Sequence, residues 1–400
     1  VAIDPRQLTP VVLTRLLNST PLGAVIDERQ LRRHRNRAGF RIGDGRHVDL
    51  FRYLAWLVWE RHHPAPAAAP RDYEAVKEAA RARNAAVSEA GRDIGELPEV
   101  EDAERKEKAS GDFRFFCEAY FPETYHLAWS DDHLRVIRKI ELAVLHGGLF
   151  AMAMPRGSGK TSLCETACLW AILYGHREFI CLIGSDEKSA LDMLESIKME
   201  LDTNDLLLAD FPEAVYPIQK LEGIAHRANG QLYQGERTYI GWTAKEVVLP
   251  TIPDSKASGA VIRVAGVTGR IRGMKYKRPD GRTVRPSLVV VDDPQTDESA
   301  RSPSQCQHRE SILAGAVLGL AGPGKKISGI MPCTVIARND MADNILDRDK
   351  HPEWQGERTK MLYAFPTNEK LWTEYERIRA EELKAERGIV RATDFYRAHQ

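Results

Sequence analysis

Near the start of the chain, "LTPVVLTRLLN" sets Leu8, Val11, Val12, Leu16 and Leu17 at helical spacing, which predicts a first amphipathic helix. A second helix is predicted from Asp27 through "DERQLRRHRNRAG", stopping at Gly39. "FRIGDGRHVDL" then alternates about Asp44-Gly45, a two-residue turn signal that predicts a hairpin. "DLFRYLAWLVWERHH" predicts an apolar closing helix. Helix, helix, hairpin, helix is the order of a small winged-helix module, here residues 1–63.

"PAPAAAP" interrupts any regular period and marks a linker, and the Ala-, Glu-, Arg- and Lys-rich stretch after it lacks large apolar residues. Residues 64–110 are therefore expected to be a linker and a solvated helical spacer. From Gly111 the pattern changes. Short, nearly all-apolar runs ("LFAMAM", "FICLIGS", "EVVLP", "AVIRVAG", "SLVVVDD", "KISGIMPCTVI") alternate with helical stretches predicted at 160–174, 186–201 and 297–320. Runs apolar on both sides are what a sheet covered on both faces requires. Residues 111–350 thus read as an α/β domain with a mainly parallel sheet. Residues 351–400, with "NEKLWTEYERIRAEELKAERG", are expected to be a charged helical lid or linker.

Length agrees with this division, since 400 residues exceed what one core accommodates. Lys plus Arg equal Asp plus Glu at 57 each, so overall charge says nothing about partners. The six cysteines are scattered without a C-x-x-C pair, which fits a reducing compartment. Cys164 and Cys168, one helical turn apart, could bind a metal but read better as small packing residues. No apolar run reaches transmembrane length, so no membrane association is expected. The chain starts without Met and stops in helix-like "DFYRAHQ", so a fragment of a longer polypeptide is expected.

Candidate chemistry begins at "FAMAMPRGSGKTS". A phosphate-binding loop needs converging backbone N–H groups, a helix N-terminus, a lysine for the phosphates and a hydroxyl for Mg²⁺. Strand, loop and helix follow in that order, with Gly157, Ser158, Gly159, Lys160, Thr161 and Ser162 as nucleotide-binding positions. Met154 occupies the place of the usual first glycine, where it can pack at the end of a buried strand. The complement is a carboxylate at the end of a second buried strand. "SLVVVDD" supplies Asp292 as Mg²⁺ partner and Asp293 as candidate base, although the pair could also cap the next helix. ATP and Mg²⁺ are the expected ligands.

"AMPRGSGKTS", "LVVVDDPQTDESARS" and "MPCTVIARNDMADNIL", in this order and spacing, resemble the ATPase domain of the large terminase subunit of tailed bacteriophages, the motor that pumps DNA into an empty capsid. The resemblance implies a P-loop NTPase domain of the RecA, additional-strand type. It implies that Arg156 stands near the γ-phosphate and that Thr334 is the coupling hydroxyl. The second acid, Asp293, is usually Glu. In "TGRIRGMKY" it implies that Arg272 reaches the next subunit's ATP, with a solvated basic loop as the plainer reading. In "HLAWSDDHLRVI" it implies that Trp129 and His133 contact the adenine, although Trp129 could equally be core. It further implies double-stranded DNA, a portal or procapsid and a homo-oligomeric ring as partners, in the host cytoplasm. The family's metal-dependent nuclease domain is not expected within residues 350–400, and no nuclease activity is expected of this chain.

Between Arg29 and Arg46 stand seven arginines and a single acid, Asp44. Arg29, Gln30, Arg32, Arg33, Asn36 and Arg37 on the second helix, with Arg41 and Arg46 on the expected wing, form a candidate DNA-binding surface. A solvated helix face is the plainer alternative. The unit resembles the winged-helix domain of small terminase subunits, which recognise the packaging site. Two other readings of the whole chain stay open: a nucleotide-gated DNA-binding or assembly protein, and another translocase or helicase. A helicase would need a second RecA-like domain, for which these 400 residues have no room.

Overall fold

The structure, a computed structural model, describes residues 4–63, 78, 83, 91–267, 271, 273–322 and 324–399. The expected linker at 64–70 and most of the spacer up to residue 90 lie outside the described residues. The chain divides into two compact units, 1–84 and 85–400.

In the first unit, helices Pro10–Asn18, Glu28–Ala38 and Leu50–His62 enclose a small core of Leu13, Ile26, Leu31, Ile42, Val48, Tyr53 and Trp56. The second helix begins and ends where its sequence predicts. Asp27 and Gln30 form a reciprocal capping box, and Gly39 closes the C-terminus at φ 59°. The first helix is rotated from expectation: Leu13 is its buried residue, while Val11 and Leu16 face solvent.

The predicted hairpin does not form as two strands. Residues Gly39–Ile42 make a 3-10 turn, and pairing shrinks to isolated bridges from Val48 to Gly43 and to Leu8. The Asp44 carboxylate accepts the N–H groups of Arg46 (2.9 Å) and His47 (2.6 Å), which tightens the turn and holds that carboxyl down at about 2. The turn is so tight that a Cβ on Gly43 would stand 2.0 Å from the His47 carbonyl oxygen. The side-chain-to-backbone bonds of Asp44 therefore win over strand extension.

The second unit is built on an eight-stranded sheet flanked by helices on both faces. In chain order the strands of this unit are β1 (Leu149–Ala153), β2 (Phe179–Gly184), β3 (Leu232–Tyr233), β4 (Glu236–Arg237), β5 (Gly241–Trp242), β6 (Glu246–Val248), β7 (Val261–Gly266), β8 (Tyr276–Lys277), β9 (Thr283–Val284), β10 (Leu288–Asp292), β11 (Ser328–Cys333) and β12 (Glu357–Arg358). β3–β4 and β8–β9 are separate two-stranded hairpins, and the sheet runs β12-β1-β11-β10-β2-β7-β6-β5. Every pairing from β12 to β7 is parallel, while β6 and β5 add an antiparallel edge.

Alternate strand residues feed two cores. Phe150, Met152, Ile180, Leu182, Val290 and Ile330 face one layer, with helices Lys160–Leu173 and Glu187–Thr203. Ala151, Cys181, Ile183, Val289, Val291 and Met331 face the other, with Pro303–Ile312 and Met341–Ile345. That double coverage is why these strands read as uninterrupted apolar runs. Met154, just beyond β1, is buried, and so are Cys164 and Cys168.

Two stretches depart from their sequence reading. The single helix expected at 297–320 is split into Asp297–Ala300, Pro303–Ile312 and a π turn Leu313–Val317. Pro303 has no N–H to continue the first segment and starts the second at its favoured first-turn position. Helix Ala103–Gly111, read as solvated spacer, packs into the main core through Ala109. Arg105 on this helix donates from Nε (2.7 Å) to Asp210, a carboxylate with no exposed surface that also accepts from Tyr120 OH (2.6 Å).

Candidate functional site

The parallel register brings the ends of β1, β11 and β10 together. Ala153 pairs with Cys333, and the N–H of Asp293 donates to Pro332 O at 3.0 Å. The loop 154–159 leaves β1 at this edge and passes into helix Lys160–Leu173. Gly157 (φ 80°) and Gly159 (φ 74°) hold left-handed conformations that favour glycine. A Cβ at either would meet nothing within 4 Å, so backbone conformation, not crowding, sets the requirement. Gly159 caps the helix without a side chain, which leaves the leading N–H groups available to an anion.

Five side chains meet above this edge. Lys160 Nζ donates to Thr334 Oγ1 at 2.5 Å and pairs with Asp293 Oδ2 at 3.2 Å. Thr334 donates its N–H to Asp293 Oδ1 at 2.9 Å and its hydroxyl to Asp293 Oδ2 at 3.0 Å. Thr161 Oγ1 donates to Asp292 Oδ2 at 2.9 Å. Burial raises the Asp292 carboxyl above the ordinary range, opposed by the Thr161 bond and reinforced by the Asp293 charge. Asp293 has φ 42°, a left-handed conformation in a non-glycine residue, and its bonds to Thr334 and Pro332 hold it there.

A divalent cation fits this set. Asp292 Oδ1 is buried with no hydrogen-bond partner among the described residues, although it is a carboxylate oxygen next to the Thr161 hydroxyl. A hard oxygen pair of this kind, completed by water and phosphate oxygens, suits Mg²⁺. Among the described residues no group of three or more His, Cys, Asp or Glu could hold a metal.

Around these five lies a supporting layer that the sequence did not flag. Gln295, buried, donates from Nε2 to Thr334 O and to Asp340 Oδ2, both at 2.9 Å. Asp340 Oδ2 also accepts the N–H groups of Ile336 (2.7 Å) and Ala337 (2.9 Å), so the loop after β11 is tied to the loop after β10. Arg309 donates to Pro294 O (2.6 Å) and Ser185 O (3.1 Å), joining the loops after β10 and β2. A lone Gln after an acidic pair carries no signal without the fold.

Arg156 lies exposed in the loop and pairs with Asp297 at 2.6 Å, across the mouth of the site. Arg272 lies outside the described residues. Trp129 and His133 line a cleft of about 290 Å³ with Gly157, Ser158, Gly159 and Ser162. His133 Nε2 bonds Ser158 O at 3.0 Å, Trp129 Nε1 donates to Glu118 at 2.7 Å, and the Trp129 ring stacks on Tyr125 at 5.2 Å. Tyr125 and Thr124 share the cleft and were not singled out from sequence.

In the first unit, Arg29, Gln30, Arg32, Arg33, Asn36, Arg37, Arg41 and Arg46 are all exposed. Three already have local work. Gln30 Oε1 accepts the Asp27 N–H in the capping box, Arg37 pairs with Glu60 at 2.9 Å, and Arg41 lies over the Trp59 ring at 5.5 Å. Arg32 and Asn36, one turn apart, line a cavity of about 430 Å³ with Phe40 and Gly45.

No protein-family profile matches this chain, and no curated protein matches it either. Among the described residues no helix is long and apolar enough to cross a membrane.

Proposed function

We propose that this chain is the ATP-hydrolysing motor of viral genome packaging, which translocates double-stranded DNA into a procapsid. The observation that carries the reading is the convergence of Lys160, Thr161, Asp292, Asp293 and Thr334 at the ends of three adjacent strands. β11 lies between the strand of the glycine loop and the strand of the acidic pair, which is the order expected of an additional-strand P-loop ATPase.

On this reading Lys160 exchanges Asp293 and Thr334 for the β- and γ-phosphate oxygens, and the leading N–H groups of its helix cradle them. Thr161 and Asp292 would hold Mg²⁺, which would neutralise charge on the phosphate oxygens. Asp293 accepts a proton from the attacking water. Its carboxylate has about four acceptor positions, of which Thr334 takes two, so the position that Lys160 vacates is open to that water. Arg156 leaves Asp297 to approach the γ-phosphate, and Arg272 serves the neighbouring subunit of a homo-oligomeric ring. Trp129 and His133 form the adenine side of the cleft. The first unit, on this reading a reduced winged helix, contacts DNA or the packaging site through its arginines, and a portal or procapsid is the docking partner.

The test is steady-state ATP turnover by the wild type and by Asp293→Asn, with and without duplex DNA and on procapsids. Turnover that rises with DNA or procapsids and is lost in Asp293→Asn is expected. No turnover in any of these states would overturn the motor reading in favour of a nucleotide-gated binding protein.

A further inference from the structure

A second polar cavity, of about 270 Å³, lies at the opposite edge of the same sheet. Glu178 immediately precedes β2 and Ala260 immediately precedes β7, so this cavity opens at the N-terminal ends of strands whose C-terminal ends face the glycine loop. The strand length alone, roughly 20 Å, separates the two ends of the sheet at which these sites lie.

Four cations, Arg177, Lys256, Arg278 and Arg282, line the cavity against two acids, Glu178 and Asp280, which leaves it net positive. Arg278 is the unusual member. Its side chain is only 9% exposed, its pairing with Glu178 is loose at 3.6 Å, and its Nε has no hydrogen-bond partner among the described residues. A buried guanidinium N–H left unbonded is costly and calls for an acceptor. Gly259 lines the cavity beside Arg278, and a Cβ there would stand 3.7 Å from the Thr251 hydroxyl oxygen and 3.9 Å from that Nε. Arg177 spends Nε and one terminal nitrogen on the carbonyls of Val144 and Ala143, so the cavity wall holds a second guanidinium bonded to carbonyls. Arg282 is already held by Asp280 at 2.8 Å, whereas Lys256 is exposed at the rim.

We propose that this cavity is an oxyanion site that takes a phosphate group, with Arg278 and Lys256 as its charged donors and the Thr251 hydroxyl as a neutral one. A guanidinium whose Nε has no partner among the described residues, beside an ammonium, suits phosphate oxygens. The site does not depend on the ATPase reading, because it shares no residue with the glycine loop. The phosphate can belong to a small monoester or to a nucleic-acid backbone, since both present the same oxygens.

The full chain carrying Lys160→Ala, which disables the loop, is titrated with inorganic phosphate by calorimetry and ³¹P NMR. One saturable site is expected to remain, and adding Arg278→Gln or Lys256→Gln is expected to weaken it about tenfold. Absence of saturable binding, or unchanged affinity in both variants, would overturn the proposal. If circular dichroism finds Arg278→Gln unfolded, Lys256→Gln and Thr251→Val carry the test, and unchanged affinity in that pair overturns it equally. Competition then separates the sources. Displacement of phosphate by short duplex DNA assigns a nucleic-acid backbone, displacement by AMP but not DNA assigns a small phosphate ester, and either result supports the site.

Discussion

Thr334 grips Asp293 twice, donating its N–H to one carboxylate oxygen at 2.9 Å and its hydroxyl to the other at 3.0 Å. The same hydroxyl oxygen accepts from Lys160, so a residue 41 positions from the acid and 174 from the lysine links both. Thr334→Val removes the hydroxyl but keeps the shape and the backbone bond. On the ATPase reading, turnover is expected to fall by about 10²-fold or more, as for loss of a positioned polar group in a catalytic site, with nucleotide affinity changed far less. Thr334→Ser is expected to recover most of it. Equal losses in the Val and Ser variants would exclude a role for the hydroxyl.

Gln295 holds the loops after β10 and β11 together through Thr334 O and Asp340. Gln295→Leu leaves the buried Asp340 carboxylate without one donor, which is expected to cost about 1–3 kcal/mol, measurable by urea denaturation. On the ATPase reading, kcat falls more than KM changes, because Gln295 positions Thr334 without touching the nucleotide. Normal kcat alongside the stability loss would make Gln295 purely structural.

Glu165, on the helix that follows the glycine loop, has its carboxyl pushed up from 4.5 to about 7, first by burial and then by the Asp292 and Glu200 charges. A raised carboxyl means the folded chain keeps a proton that the unfolded chain releases. Stability from this group is therefore complete below pH 4.5 and lost as pH rises towards 7. Glu165→Gln is expected to be more stable than wild type above pH 7 by about 3 kcal/mol, with the difference vanishing below 4.5. Thermal melts at pH 4.5 and 8 measure it; a pH-independent difference would contradict the assignment.

Asp210, itself without exposed surface, anchors helix Ala103–Gly111 by accepting from the partly exposed Arg105 and from Tyr120. Asp210→Ala takes the main carboxylate partner from Arg105 and an acceptor from Tyr120, and is expected to cost about 2–3 kcal/mol. Tyr120→Phe removes one hydrogen bond and is expected to cost about 1 kcal/mol. Denaturant unfolding of both variants checks the ordering, and a smaller loss for Asp210→Ala would refute it.

Trp129 faces the cleft beside the glycine loop while its Nε1 is fixed by Glu118. If the cleft takes the base, Trp129→Ala weakens ATP by about tenfold, the scale of one base–aromatic stack, and leaves inorganic triphosphate binding unchanged. A parallel loss for both ligands would place Trp129 in the core instead.

Local features were legible in the sequence wherever neighbouring residues decide them. Asp27, Gln30 and Gly39 bound their helix because capping is a contact between residues a few positions apart. Gly157, Gly159, Lys160 and Thr161 stand at a strand-to-helix turn because conformation and order are written in adjacent residues. The same neighbourhood logic misjudged 40–50, where alternation predicts a hairpin but the Asp44 side chain closes a tighter turn. It also misjudged 103–111, whose charged surface hides Arg105 and its buried partner more than a hundred residues away. What only the tertiary structure decided is adjacency across the sheet: β11 between β1 and β10, Thr334 on Asp293, and Gln295 on Asp340. Apolar runs state that a strand is buried on both faces but not which strand lies beside it. That choice belongs to the packing of whole layers, and the site inherits its geometry from it.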